Sequence, residues 1–137
     1  VPPLEGLWWA EDMESFTTKR DKSQWDWTMM IMAPDWITQE MVDRVTEDVS
    51  KKKDLPALTK IRLETLEEGL CVQIMHHGSY DDEAPTLHKL HHEWVPENRY
   101  EMVGKHHEIY IKAGDPRKGP VDPAKLRTVL RQPIRKA

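Results

Sequence analysis

The sequence is short of several things, and each shortage excludes a class of protein. One cysteine, Cys71, stands among 137 residues. No disulfide can close within the chain, and this usage fits a reducing cytoplasm. No apolar run approaches the roughly 18 residues that a membrane-spanning helix needs, and no apolar signal segment opens the chain. Positive charge is in deficit. The net charge of −4 argues against direct binding of nucleic acid, which calls for a basic surface. The Gly-x-Ser-x-Gly nucleophile turn and glycine-rich phosphate loops are missing. Phenylalanine is nearly so, with one residue against six tryptophans.

What is there suits one compact domain. Hydrophobic residues make up 38% and charged residues 32%, a globular balance rather than a disordered one. The tryptophans admit two readings. They fill a core, or they form a wall for flat or cationic ligands. The chain opens on Val1-Pro2-Pro3 with no initiator methionine, which reads as a chain with residues missing upstream.

Patterning gives an order of elements. Leu4 to Ala10 and Trp25 to Met32 read as strands, and in the second Trp25, Trp27, Met29 and Ile31 share one face. Residues 11–24, with the charge cluster Lys19-Arg20-Asp21-Lys22, read as a loop. Thr38 is a suitable N-cap for a helix whose apolar stripe is Met41, Val42, Val45 and Val49, closed by Lys51-Lys52-Lys53. Ile61–Thr65 and Leu70–His76 read as a hairpin turned at Glu67-Glu68-Gly69. Asp81, Asp82 or Glu83 caps a second helix, with Leu87, Leu90, His91 and Trp94 as its buried stripe and Pro96 and Asn98 at its close. Lys105–Ile111 and Leu126–Ile134 are the last strands, with Pro133 suggesting an edge. This order predicts an α+β fold, a mainly antiparallel sheet with helices on one face.

Few residues announce chemistry. His88 and His92 have helical metal-ligand spacing, but the His-Glu-x-x-His order is absent and both flank the apolar stripe, so no metal is expected. Cys71 sits among apolar strand residues, where a thiol is inert packing. In "KHHEIYI", alternation places His106, Glu108 and Tyr110 on one side and His107, Ile109 and Ile111 on the other. If the first side faces water, Glu108 is ordinary, and spacing alone favours that. If it walls a pocket, a desolvated carboxylate there attracts lipophilic cations, with indole faces adding cation–π attraction. Spacing does not decide between them.

The segments "PPLEGLWWAEDM", "WDWTMMIMAPD", "EGLCVQIMHHGSYDDEAPTLHKLHHE", "GKHHEIYI", "DPRK" and "LRTVLRQPI", taken together and in order, resemble the stand-alone branch of the GyrI-like small-molecule-binding family. The resemblance covers nearly all of residues 2–134. It implies tandem β-α-β-β modules about a pseudo-twofold axis, with a ligand cleft between them and Glu108 as the pocket glutamate. Trp8, Trp27, Tyr80 and Tyr110 are implied as cleft aromatics, and Met75 completes the ligand-binding set. Relatives include multidrug effector-binding domains and hydrolases of cyclopropane-bearing genotoxic natural products.

The expectation that follows is a single domain over 1–137 with an incomplete first module. Residues 1–36 would be its remnant, 37–58 a connecting helix and 59–137 the second module. Family members carry a further strand and helix before "PPLEGLWW", and a second copy of the chain or a complementing N-terminal segment would fill that place. The function expected is polyspecific binding of lipophilic, cationic or electrophilic small molecules in the cytoplasm, without a cofactor, a direct nucleic-acid contact or a membrane. The alternative is a cyclopropane hydrolase for detoxification, with Glu108 as general base and Tyr80 or Tyr110 positioning substrate or donating a proton. A protein-interaction module is the third reading.

Overall fold

The structure, a computed structural model, describes residues 1–11 and 22–137. Most of the expected loop over 11–24 lies outside them. The described residues form two compact units, Val1–Ile31 with Glu68–Ala137, and Met32–Glu67.

The larger unit is an open antiparallel sheet of six strands with a helical segment, the α+β class expected. Its strands are β1 (Glu5–Trp9), β2 (Asp26–Met30), β3 (Cys71–His77), β4 (Tyr100–Met102), β5 (His106–Lys112) and β6 (Arg127–Lys136). The spatial order is β2-β1-β5-β6-β3, and β4 also pairs with β6. The long β6 is therefore central, where Pro133 had suggested an edge. Its geometry explains the tolerance. Ile134 N–H donates to Leu70 O across the β3 side. By alternation the Pro133 nitrogen faces the other side, at the gap between β4 and β5, where no ladder bond is lost. Val103 N–H fills that gap by donating to Pro133 O.

Residues 81–97 are helical throughout but not uniformly so. A 3-10 turn (Asp81–Glu83) leads into α2 (Ala84–His88), then a π turn (Lys89–Trp94), then the short α3 (Val95–Glu97). In the π turn Val95 N–H reaches back to Leu90 O. The wider turn precedes Pro96, whose ring would otherwise collide with a carbonyl one turn back. The added residue rotates the stripe. Leu87, Leu90 and His91 are buried as expected, but Val95 (2% exposed) takes the place expected of Trp94, which is 40% exposed and stacks on Tyr100. Leu87 and Leu130 form the core with Ala10, and Trp8 and Trp25 pack against it.

The smaller unit carries α1 (Gln39–Ser50). Thr38 caps it as expected, its Oγ1 accepting from Met41 N–H at 3.3 Å. No α1 residue is buried, so the Met41/Val45 stripe is apolar without being covered. A 3-10 turn, Pro56–Lys60, follows. The expected strand Ile61–Thr65 is not formed. A strand exists where another backbone edge takes its ladder, and none among the described residues takes this one. Glu68, expected in a hairpin tip, instead bonds His107 and Arg131 within the larger unit.

Candidate functional site

The side chains that matter are set by strand register. Glu108 of β5 lies opposite Gly6 of β1 and Leu130 of β6, and Trp8 lies opposite Trp27 of β2. Residues in register share a face. One face of the sheet therefore gathers Trp8, Trp27, Met29, Glu108 and Tyr110. The turn leading into α2 adds Tyr80 and Glu83 to it.

Together these residues, with Leu4, Trp25 and Ala113, line a cleft of about 480 Å³, within the range of small-molecule sites. Trp27, 61% exposed, stands at its mouth, and Glu108, 5% exposed, is among its buried residues. Among the ligand-binding candidates, Trp8, Trp27, Tyr80, Glu108 and Tyr110 meet here. Met75 does not. It pairs with Val129 in register, so alternation turns it to the opposite face from Ile74 and Leu130.

Two contacts hold the aromatic wall. The Trp8 indole N–H donates to Tyr110 Oη at 3.0 Å, and Tyr80 meets Tyr110 edge-on with ring centroids 5.8 Å apart. Trp8 also meets Trp25 edge-on at 5.7 Å. Gly6 makes the first contact sterically possible. A Cβ there would lie 2.7 Å from Trp8 Nε1, which would have to shift, and 3.2 Å from Tyr110 Oη, which would have to give by a few tenths of an ångström.

The electrostatics favour protonated phenols beside carboxylates. Burial, and then the charge of Glu108, pushes the Tyr110 hydroxyl well above the usual tyrosine range, although the Trp8 bond pulls the other way. Burial, then Glu108 and Glu83, raises Tyr80 likewise. Both tyrosines are thus hydroxyl donors at neutral pH. Behind Glu108, its Oε2 lies 2.8 Å from Nε2 of His106, a ring with no exposed surface.

By sequence Glu83 reads only as a cap. It is 2% exposed and lines the cleft as a second acid. A signal for it exists in the sequence: Glu83 is one turn before Leu87, on the same helical stripe. The Cys71 thiol is raised by burial first, as suits an inert side chain. Among the described residues no group of three or more His, Cys, Asp or Glu could hold a metal ion. Nor is any helix there long and apolar enough to cross a membrane.

A family model described as a GyrI-like small molecule binding domain matches residues 1–135. Among solved structures, the chain resembles an uncharacterized conserved protein from Listeria innocua, with a TM-score of 0.81 and 36% identity, covering 98% of this chain and 64% of that one. Two further Listeria innocua crystal structures, each described as a hydrolase, match with TM-scores of 0.76 and identities of 33% and 34%. They cover 98% of this chain and 63% and 64% of their own. The chain thus spans a little under two-thirds of the length of these proteins. No curated protein matches.

Proposed function

The chain belongs to the GyrI-like small-molecule-binding family, and from that premise we propose that its cleft receives flat, lipophilic molecules that carry positive charge or an electrophilic centre. The observation that carries this reading is a nearly enclosed carboxylate, Glu108, in a cleft walled by tryptophan and tyrosine rings. Rings supply attraction that demands little exact geometry, which suits breadth of ligand choice. The acid supplies the charge recognition, strengthened by exclusion of water. Glu83 adds a second negative group to the same cleft.

The test is a titration of the intrinsic tryptophan fluorescence with a lipophilic cation such as tetraphenylphosphonium. Glu108→Gln keeps the shape and removes the charge. We expect it to weaken binding about 50-fold, or roughly 2.3 kcal/mol, the scale of a charge-assisted contact. Equal affinity in the two proteins would end the proposal.

Hydrolysis is the second reading, favoured by the likeness to two proteins described as hydrolases and by the protonated tyrosine beside the acid. In it Glu108 takes a proton from a water whose oxygen attacks a cyclopropane carbon. The strained C–C bond breaks, its electrons pass into a conjugated carbonyl, and Tyr110 or Tyr80 donates a proton to that oxygen. Product formation from an activated cyclopropane, lost in Glu108→Gln and slowed in Tyr110→Phe, would establish it. Equal turnover in all three proteins would exclude it.

A further inference from the structure

Neither reading uses the two histidines behind the cleft acid. His106 is wholly enclosed, and its Nε2 lies 2.8 Å from Glu108 Oε2. A contact of that length between a ring nitrogen and a carboxyl oxygen needs one proton, on either atom. The ring of His106 meets that of His91 edge-on, with centroids 5.9 Å apart. His91 is itself buried and belongs to the π turn. Such turns are frequently found at functional sites.

We infer that His106 is the positioning residue that sets the charge of the cleft, so that a cation bound at Glu108 is exchanged for a proton from the His106–Glu108 pair. The inference rests on the binding reading above. With one shared proton the pair carries a net charge of −1. With two it is an imidazolium beside a carboxylate, and neutral. A ligand cation arriving at the neutral pair would sit against a like charge in a dry site. The second proton therefore leaves as the cation enters, and the overall charge of the site is kept. Histidine is the side chain whose ordinary titration falls in the physiological range, so the exchange is sought there.

Other groups face the pair. From the same strand comes Tyr110, from the turn before α2 come Tyr80 and Glu83, and from the π turn comes His91. β1 presents Gly6 and Trp8, and β6 presents Leu130 and Thr128, none of them charged. From β3, His76 shares the helix-facing side and is held by Ser79 O at 2.8 Å. The tyrosines keep their protons, since burial raises both. Glu83 is the competing source of a released proton, so it enters the test.

The experiment is calorimetry of tetraphenylphosphonium binding at about pH 6 and about pH 8, each in two buffers of different ionisation heat. The chosen cation does not titrate, so any proton exchanged belongs to the protein. Wild type should release up to about one proton per cation at the lower pH and bind up to about tenfold more weakly per unit fall in pH. His106→Gln, which keeps a donor near Oε2 without a titrating ring, should bind with neither effect. Glu83→Gln should retain both. Binding without proton release by wild type at about pH 6 overturns the inference whether or not the variant folds, and leaves the binding reading intact. Release that persists in His106→Gln, or that vanishes in Glu83→Gln, overturns the assignment to His106. No binding at either pH sinks the binding reading, and the inference with it.

Discussion

His106 and His107 are neighbours in the chain, both almost completely enclosed, and each is bonded to glutamate. They point to opposite faces of β5, and the two faces use the same chemistry to different ends. On the His107 side, Nε2 lies 2.8 Å from Glu5 and Nδ1 lies 2.6 Å from Glu68. Glu68 gives its other oxygen to Arg131 at 3.0 Å, and Arg131 donates to Gln73 at 2.9 Å. Glu68 is thereby tied into a chain of polar side chains. On the His106 side, the histidine takes Oε2 of Glu108, and the acid still lines an aromatic cleft. A buried His–Glu pair therefore does not identify a site by itself. What distinguishes the two is what the carboxylate borders: an aromatic cleft for Glu108, a chain of polar side chains for Glu68.

The largest test of that contrast is a crossed pair of substitutions. Glu68→Gln leaves a buried histidine and an arginine facing a neutral amide, and breaking such a network should destabilise the protein by about 3 kcal/mol. Denaturant unfolding measures this, and cation affinity should stay within about twofold. Glu108→Gln should lose affinity, and because it also leaves a buried histidine facing an amide it should cost stability of the same order, about 3 kcal/mol. If Glu68→Gln abolished binding at unchanged stability, the two faces would have to be reassigned.

A smaller effect sharpens the ligand-side wall. In Gly6→Ala the new methyl would lie 2.7 Å from Trp8 Nε1 and 3.1 Å from the Met29 methyl, so the indole must swing off Tyr110. The expected loss is about 1–3 kcal/mol of stability for the overpacked position, together with about tenfold in cation affinity from the displaced ring. Thermal melts and the fluorescence titration measure the two. Unchanged affinity would mean that the Trp8–Tyr110 bond does not shape the cleft.

Much of this arrangement was legible in the sequence, and the failures have physical causes. β1, β2, β5 and β6 declare themselves by period two, and α1 by its Thr38 cap, because those signals are local. The aromatic set meets around Glu108 because alternation fixes a face once a strand is known. The missing Ile61–Thr65 strand shows the limit: alternation describes a ribbon that could pair, whereas pairing needs a partner edge that no local pattern reports. β4, only Tyr100–Met102, is too short to carry a period and exists through its ladder with the end of β6. Trp94 and Val95 exchange roles because the π turn adds a residue, and the sequence marks Pro96 as a terminator without showing that a wider turn precedes it. Glu83 is hard to see as a cleft residue because an acid before a helix reads first as a cap.

Met75 supplies the smallest effect and the strictest check on the faces. It is half-exposed, and its register with Val129 puts it across the sheet from Leu130, which pairs with Glu108. Removing its side chain in Met75→Ala should leave cation affinity unchanged within error and alter stability by no more than about 0.5 kcal/mol, as for most surface positions. The same fluorescence titration and unfolding curve read both quantities. A clear loss of affinity would carry weight beyond one residue. Side chains alternate strictly along a strand, so a slip of one residue between β3 and β6 would carry Met75 to the cleft side and take His76 away from Ser79. The null effect at Met75 and the bond at His76 are two readouts of one register, and neither can change without the other.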